Sequence, residues 1–137
     1  MGLLAETNGE TEKAKGYFRE AIKLDPKFSA AYNNLGMILS REGHTEDAVS
    51  CFSKALKYDK DFLQGHFNMA MAMAKLKNFD DAVRHFQRVI LVNANEKDAH
   101  FMLSTIYDKQ GKKKRADFHR AAVQRIQDEE TMSGEGP

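Results

Sequence analysis

A chain of 137 residues, 42% hydrophobic and 30% charged, is long enough for one packed domain and has the composition of a folded protein. Its formal net charge of +1 gives no general pull towards nucleic acid or anionic membrane, so no nucleic-acid partner is expected. The longest apolar run, Met69 to Ala74, is far too short to span a bilayer, and membrane insertion is not expected. Residues 1–20 carry Glu6, Glu10 and Glu12 and lack the apolar core of a signal peptide. Cys51 is the single cysteine, which excludes an internal disulfide and suits a reducing compartment. An intracellular, cytoplasmic location is the expectation.

In chain order, Met1 to about Thr7 reads as the back half of a helix, with a turn at Gly9 and a second helix from about Thr11 to Leu24. Asp25-Pro26 stops that helix, since proline lacks a backbone donor and suits the start of the next one. Leu3 and Leu4 would then have little cover. The opening therefore reads as a cut from a longer array or an end covered by another chain, with a natural short start as the bland alternative. A helix up to Arg41 follows, then a turn at Gly43, where glycine permits left-handed backbone, and a helix from Thr45 to Tyr58. The next pair has Lys77-Asn78 in place of the turn glycine. Lys77 falls in the tight-turn column with Gly43 and Gly111, asparagine can also take the left-handed conformation, and Asp80-Asp81 favour the start of the helix after it. Asn95 and Asp98 look like a cap and its partner, and Gly111 ends the following helix. The stretch 129–137, with two glycines and a proline, reads as a disordered tail.

The units repeat with a spacing of 34 residues. Small residues fall at Ala14, Ala48, Ala82 and Ala116. Four positions later come Phe18, Phe52, Phe86 and Arg120, and three further on Ala21, Ala55, Val89 and Val123. The front of the unit gives Leu35-Gly36, Met69-Ala70 and Leu103-Ser104. The fullest copy runs Tyr32, Leu35-Gly36, Leu39, Ala48, Phe52, Ala55. This resembles the tetratricopeptide repeat (TPR), a helix–turn–helix unit of that length. The resemblance implies an all-α, right-handed α-solenoid over residues 1–127. It has a partial repeat at 1–26 and repeats at 27–60, 61–94 and 95–128. Small residues at Gly36 and Ala48 would let the paired backbones approach, while Tyr32, Leu35 and Phe52 fill the space around them. Each fully buried Leu or Phe contributes about 1.5–3 kcal/mol. One unit cannot cover its own apolar face, so neighbours must stack.

By that resemblance the first helix of each unit lines the concave surface. The inward positions would be Ala30, Asn33, Asn34, Met37, Ser40 and Arg41, then Gln64, Phe67, Asn68, Met71, Ala74 and Lys75. The last full unit adds Asp98, Phe101, Met102, Thr105, Asp108 and Lys109, while the partial unit offers only Leu3, Glu6 and Thr7. Asn34 and Asn68 are one period apart and should stack as amide rungs able to clasp a peptide backbone. The stretch Tyr32-Asn33-Asn34-Leu35-Gly36 is similar to repeats of the O-linked N-acetylglucosamine transferase, where an asparagine ladder lines the superhelix. Met102 breaks that ladder after two rungs. Met37, Phe67, Met71, Phe101 and Met102 form an apolar trough suited to varied side chains, whereas Met69 and Met73 are assigned to the core. Arg41, Lys75 and Lys109 form a basic edge. The positions that hold a chaperone's C-terminal carboxylate in other family members carry no lysine or arginine here, which argues against that mode.

The remaining signals have bland readings. His66 and His100 stand in the place of Tyr32 and pack. His85 and His119 repeat at the same period, and two-residue metal sites between stacked helices are poor. No metal and no cofactor are expected. Lys112-Lys113-Lys114-Arg115 reads as a solvated face, although it opposes the helix dipole. Cys51, beside core Phe52, reads as packed. There is no phosphate-binding glycine loop, His-Glu-x-x-His or Cys-x-x-Cys.

The sequence thus predicts a non-catalytic interaction scaffold that holds a peptide of a protein partner in its concave groove. The groove residues are Asn33, Asn34, Met37, Arg41, Gln64, Phe67, Asn68, Met71, Lys75, Phe101, Met102 and Lys109. Two alternatives stand beside it. One is the recognition arm of a larger enzyme such as a glycosyltransferase. The other is a self-assembly module stacking as a homo-oligomer through its repeat ends.

Overall fold

A computed structural model describes residues 2–134, with side chains from residue 9 onward. The described residues form seven helices: α1 (Gly2–Leu24), α2 (Ser29–Arg41), α3 (Thr45–Tyr58), α4 (Leu63–Lys75), α5 (Phe79–Val92), α6 (Lys97–Lys109) and α7 (Lys113–Gly134). Helices α2, α4 and α6 start at equivalent positions of the repeat, as do α3, α5 and α7. Each pairs with the next as an antiparallel hairpin, and hairpins stack through α1 on α2, α3 on α4 and α5 on α6. The architecture is an all-α, right-handed solenoid, as the repeat pattern predicts.

The turn inside each hairpin is built one way three times. Gly43, Lys77 and Gly111 have φ of 89°, 63° and 73°. In each case the next residue's N–H reaches back to the preceding helix: His44 to Leu39, Asn78 to Met73 and Lys112 to Tyr107, all at 2.8 Å. This is the glycine-type helix stop that satisfies the last free carbonyls. Lys77, in the tight-turn column of the repeat, takes the left-handed position without being glycine, because the hydrogen-bond pattern fixes which residue must turn. Asn78 precedes α5, and its side chain donates to Asp81 at 2.7 Å.

Three expectations are corrected. The chain from Gly2 to Leu24 is one helix, running through Gly9 without the expected break. Extending a helix adds one hydrogen bond per residue fixed, whereas a new short helix needs a costly nucleus. A glycine within a helix costs only about 1 kcal/mol. Residue Glu96, not Asn95, precedes α6, and no side chain caps it. The loop is held instead by Asn93, whose Oδ1 accepts from the Asn95 N–H at 3.3 Å. Finally, residues 129–134 continue α7 rather than leaving it as a tail. Ile126 is buried, Lys97 reaches Glu130 at 3.1 Å, and Gln124 donates to Asp128 at 3.0 Å, which carries the helix onward. The expected exposure of Leu3 and Leu4, the inward positions Leu3, Glu6 and Thr7, and the tail at 135–137 lie outside the described side chains.

The core runs along the stack. Phe52, Phe86, Leu103 and Ile106 are its largest fully buried side chains, with Ala48, Ala82 and Ala116 wholly buried between paired helices. Gly36 shows why the unit needs small residues: a Cβ there would lie 2.7 Å from Phe52 Cε1 and 3.1 Å from Cys51 Cβ. Burial raises the Cys51 thiol pKa, in keeping with a packed side chain. Arg120, in the column of Phe52 and Phe86, is exposed and pairs with Asp108 and Asp117. Lys15 is buried and ties α1 to α2 through Glu42 at 2.9 Å. None of the described helices is long and apolar enough to cross a membrane.

Candidate functional site

Of the expected groove residues, Met37, Arg41, Gln64, Phe67, Asn68, Met71 and Lys75 line two hollows, whereas Asn33, Asn34, Phe101, Met102 and Lys109 line neither. One, of about 310 Å³, is lined by Met37, Ser40, Arg41, Phe52, Phe67, Asn68, Met71 and Lys75. Six of these are groove residues expected from sequence. The other, of about 220 Å³, lies between Leu63, Gln64, Phe67, Val89, Asn93, Glu96 and Asp98. Phe67 borders both and meets Phe86 edge-on, ring centroids 5.6 Å apart. Leu63, Asn93 and Glu96 escaped the sequence reading because they come from loop margins and helix starts, which the inner-face register does not cover.

The amide rung takes a different register from the one expected. Asn68 Nδ2 donates to Asn33 Oδ1 at 2.9 Å, while Asn68 Oδ1 accepts from Gln64 Nε2 at 3.3 Å. Asn33 is buried, and its own Nδ2 faces Met37 Sδ at 3.7 Å. Asn34 is half-buried and stands outside that chain of amides. The diagonal link, one residue beyond the repeat period, follows from the stagger between stacked helices. Lys75 Nζ shows the same offset, donating to Ser40 Oγ at 3.1 Å. Asn33 and Asn68 thus join α2 to α4, and Asn68 is held in place beside the hollow.

The apolar trough is partly core. Phe67, Met71 and Met102 are half-buried against the cluster of Ala70, Phe86 and Leu103. Met37 and Phe101 are the exposed members, at 39% and 56%. Phe101 is open because the residue in the place of Phe86 is Arg120, which turns to its aspartates. At the basic edge Arg41, Lys75 and Lys109 are exposed, and the Lys109 ammonium lies 5.6 Å from the Phe79 ring centroid.

The histidines pair across each hairpin, not between neighbouring units. His66 Nε2 lies 2.8 Å from the Lys60 carbonyl, and His66 Nδ1 3.0 Å from His85 Nδ1. His100 repeats this with the Ala94 carbonyl at 2.8 Å and His119 at 2.9 Å. A carbonyl only accepts, so Nε2 donates to it; where Nδ1 of the same ring accepts, His85 or His119 donates from its own Nδ1. Burial, aided by the facing imidazole, holds the His85 and His119 pKa values down to about 4. Among the described residues no three His, Cys, Asp or Glu side chains converge as a metal site.

A model of the family described as the Cilia and flagella-associated protein 70 middle TPR-like domain matches residues 3–127. No curated protein sequence matches the chain. Among solved structures, a crystal structure of MamA superposes with a TM-score of 0.81 at 22% identity, covering 92% of this chain and 74% of MamA. The crystal structure of YrrB, described as a TPR protein with an unusual peptide-binding site, gives 0.80 at 25% identity, covering 91% of this chain and 64% of YrrB. A tetratricopeptide repeat protein from Parabacteroides merdae gives 0.80 at 18% identity, covering 88% and 48%.

Proposed function

The chain belongs to the Cilia and flagella-associated protein 70 middle TPR-like domain family, and from that premise we propose a non-catalytic scaffold that holds a peptide segment of a protein partner on its inner face. The observation that carries this reading is the hollow between α2 and α4. Met37, Phe67 and Met71 offer apolar contact there beside Arg41, Lys75 and the amide of Asn68. Methionines let such a surface adapt its shape to different side chains. The Asn68 amide, already oriented by Gln64 and Asn33, retains a free lone pair on Oδ1 for a backbone N–H. Arg41 and Lys75 at the rim favour an acidic flank on the bound segment. Phe101, further along the inner face, adds an exposed aromatic contact.

The test is selection from a displayed random-peptide library, followed by amide chemical-shift mapping of an enriched peptide on the chain. Perturbations centred on Phe67, Asn68 and Met71, with binding lost in Phe67→Ala/Phe101→Ala, support the proposal. Perturbations confined to α3, α5 and α7, or a library that yields no binder, refute it.

A further inference from the structure

The repeat contains its own control for the basic run. In the first turn of α3 the chain places Glu46-Asp47, and in that of α5 Asp80-Asp81. Both pairs set negative charge beside the free N–H groups of a helix start, where the dipole favours it. α7 begins at the same point of the repeat, yet carries Lys114-Arg115 there, after Lys112-Lys113, and has no acidic residue in its first turn. The arrangement is unfavourable for the helix, and all four residues are exposed.

The surrounding acids do not compensate. Asp108 and Asp117 are both engaged by Arg120, and Asp80 accepts from Gln110 at 3.2 Å. Among the described residues, Lys112, Lys113, Lys114 and Arg115 form none of the ion pairs. Two of the cations lean on an aromatic stack: Lys112 and Arg115 each lie 6.0 Å from the Tyr107 ring centroid. Tyr107 stacks on His119 at 5.7 Å, and His119 meets Phe118 edge-on at 5.1 Å. The Tyr107 hydroxyl accepts from Gln87 at 2.9 Å, which fixes the stack from α5. Phe118 is 68% exposed and stands one turn beyond Lys114 on the same helix face. Four uncompensated cations, a helix start and one open aromatic ring therefore form a continuous surface. None of its residues lines the two inner-face hollows.

We infer that this surface binds an acidic segment of a partner polypeptide, with carboxylates over Lys112–Arg115 and an apolar side chain against Phe118. Charge complementarity selects the acidic partner. The aromatic part selects polypeptide over nucleic acid: Tyr107 is 4% exposed and closed to stacking, which leaves one open ring where a base-binding strip needs several. The chain's net charge of +1 is also not that of a nucleic-acid footprint. This goes beyond the inner-face reading and stands or falls separately from it.

The test uses a fluorescein-labelled oligoglutamate peptide bearing one leucine, titrated by anisotropy into the chain at low and at physiological salt. Saturable binding that weakens with salt is expected. Lys114→Glu/Arg115→Asp recreates the acid pair of α3 and α5. It should weaken binding about tenfold while raising the thermal midpoint. Phe118→Ala should weaken binding about threefold, and Phe67→Ala on the inner face should leave it unchanged. The inference is overturned if the double variant binds the peptide as well as the parent. It is overturned equally if the double variant melts lower, which would give the basic pair a role in the fold. Tighter binding of single-stranded oligouridylate than of the peptide would assign the surface to nucleic acid instead.

Discussion

His66 Nδ1 lies 3.0 Å from His85 Nδ1, and one repeat later His100 and His119 meet at 2.9 Å. Tyr32 fills the corresponding place in the preceding repeat by donating its hydroxyl to the Pro26 carbonyl at 3.0 Å. The imidazole does the same work for the loop and adds a link to the partner helix. That link makes the two later repeats sensitive to acid. His85 and His119 are held at a pKa of about 4 against an ordinary 6.5, first by burial and then by the facing ring, with Arg84 and Arg88 adding to the effect at His85. The unfolded chain therefore binds more protons across this window. The stability associated with the neutral rings is fully present above the unfolded value and is lost as pH falls towards the folded one. Each pair should cost about 1–2 kcal/mol on acidification, discounting the full shift for partial exposure. Thermal melts across this range should show a falling midpoint, and His85→Gln/His119→Gln, which removes the two shifted groups, should flatten the slope. An equal slope in that variant would assign the acid sensitivity elsewhere.

The two adjacent asparagines of α2 should separate cleanly. Asn33→Ala leaves the Nδ2 of Asn68 without its partner at a buried junction and should cost about 1–3 kcal/mol. Asn34→Ala, outside that network, should change stability by less than about 0.5 kcal/mol. Urea unfolding of the two variants measures both, and equal losses would contradict the observed rung.

Lys77 is a non-glycine residue at φ 63°, in the place that Gly43 and Gly111 occupy. Lys77→Gly should relieve left-handed strain and stabilise the chain by about 1 kcal/mol. The opposite change, Gly43→Val, should destabilise it by about 1–2 kcal/mol. Paired chemical denaturation curves would check the two signs.

Gly36 faces Phe52 so closely that a methyl group would overlap the ring. Gly36→Val should cost about 3 kcal/mol, the upper end of the range for overpacking. Its equivalent, Ala70, already accommodates a Cβ beside Phe86, so Ala70→Gly should have the milder cost of a helix glycine, about 1 kcal/mol. Melting midpoints should rank the Gly36 variant well below the Ala70 variant.

Phe101 is 56% exposed, so Phe101→Ser should change stability by less than about 0.5 kcal/mol. The same change should weaken an inner-face peptide about tenfold, as loss of an aromatic anchor does. Isothermal titration with a selected peptide, run beside a melt, distinguishes a contact residue from a packing residue.

The sequence by itself determined the repeat, its period and the hairpin turns of the complete units. Those depend on local requirements that most copies restate: a small residue between paired helices, an aromatic residue four positions later, replaced only by Arg120, and a left-handed stop at Gly43, Lys77 and Gly111. It also identified most residues around the α2–α4 hollow, because a straight helix converts spacing directly into a face. Tertiary structure decided what lay between copies. The stagger of α2 against α4 put Asn33, not Asn34, opposite Asn68, and periodicity alone carries no stagger. The hairpin geometry joined His66 to His85, since residues 19 apart in sequence meet only after the chain reverses. The backbone of the turn holds Lys77 in the left-handed position that its repeat column gives it, because hydrogen bonds to Met73 and Ala74 outweigh side-chain preference. In α1 the chain continues as helix through Gly9, which a turn column in the sequence does not reveal.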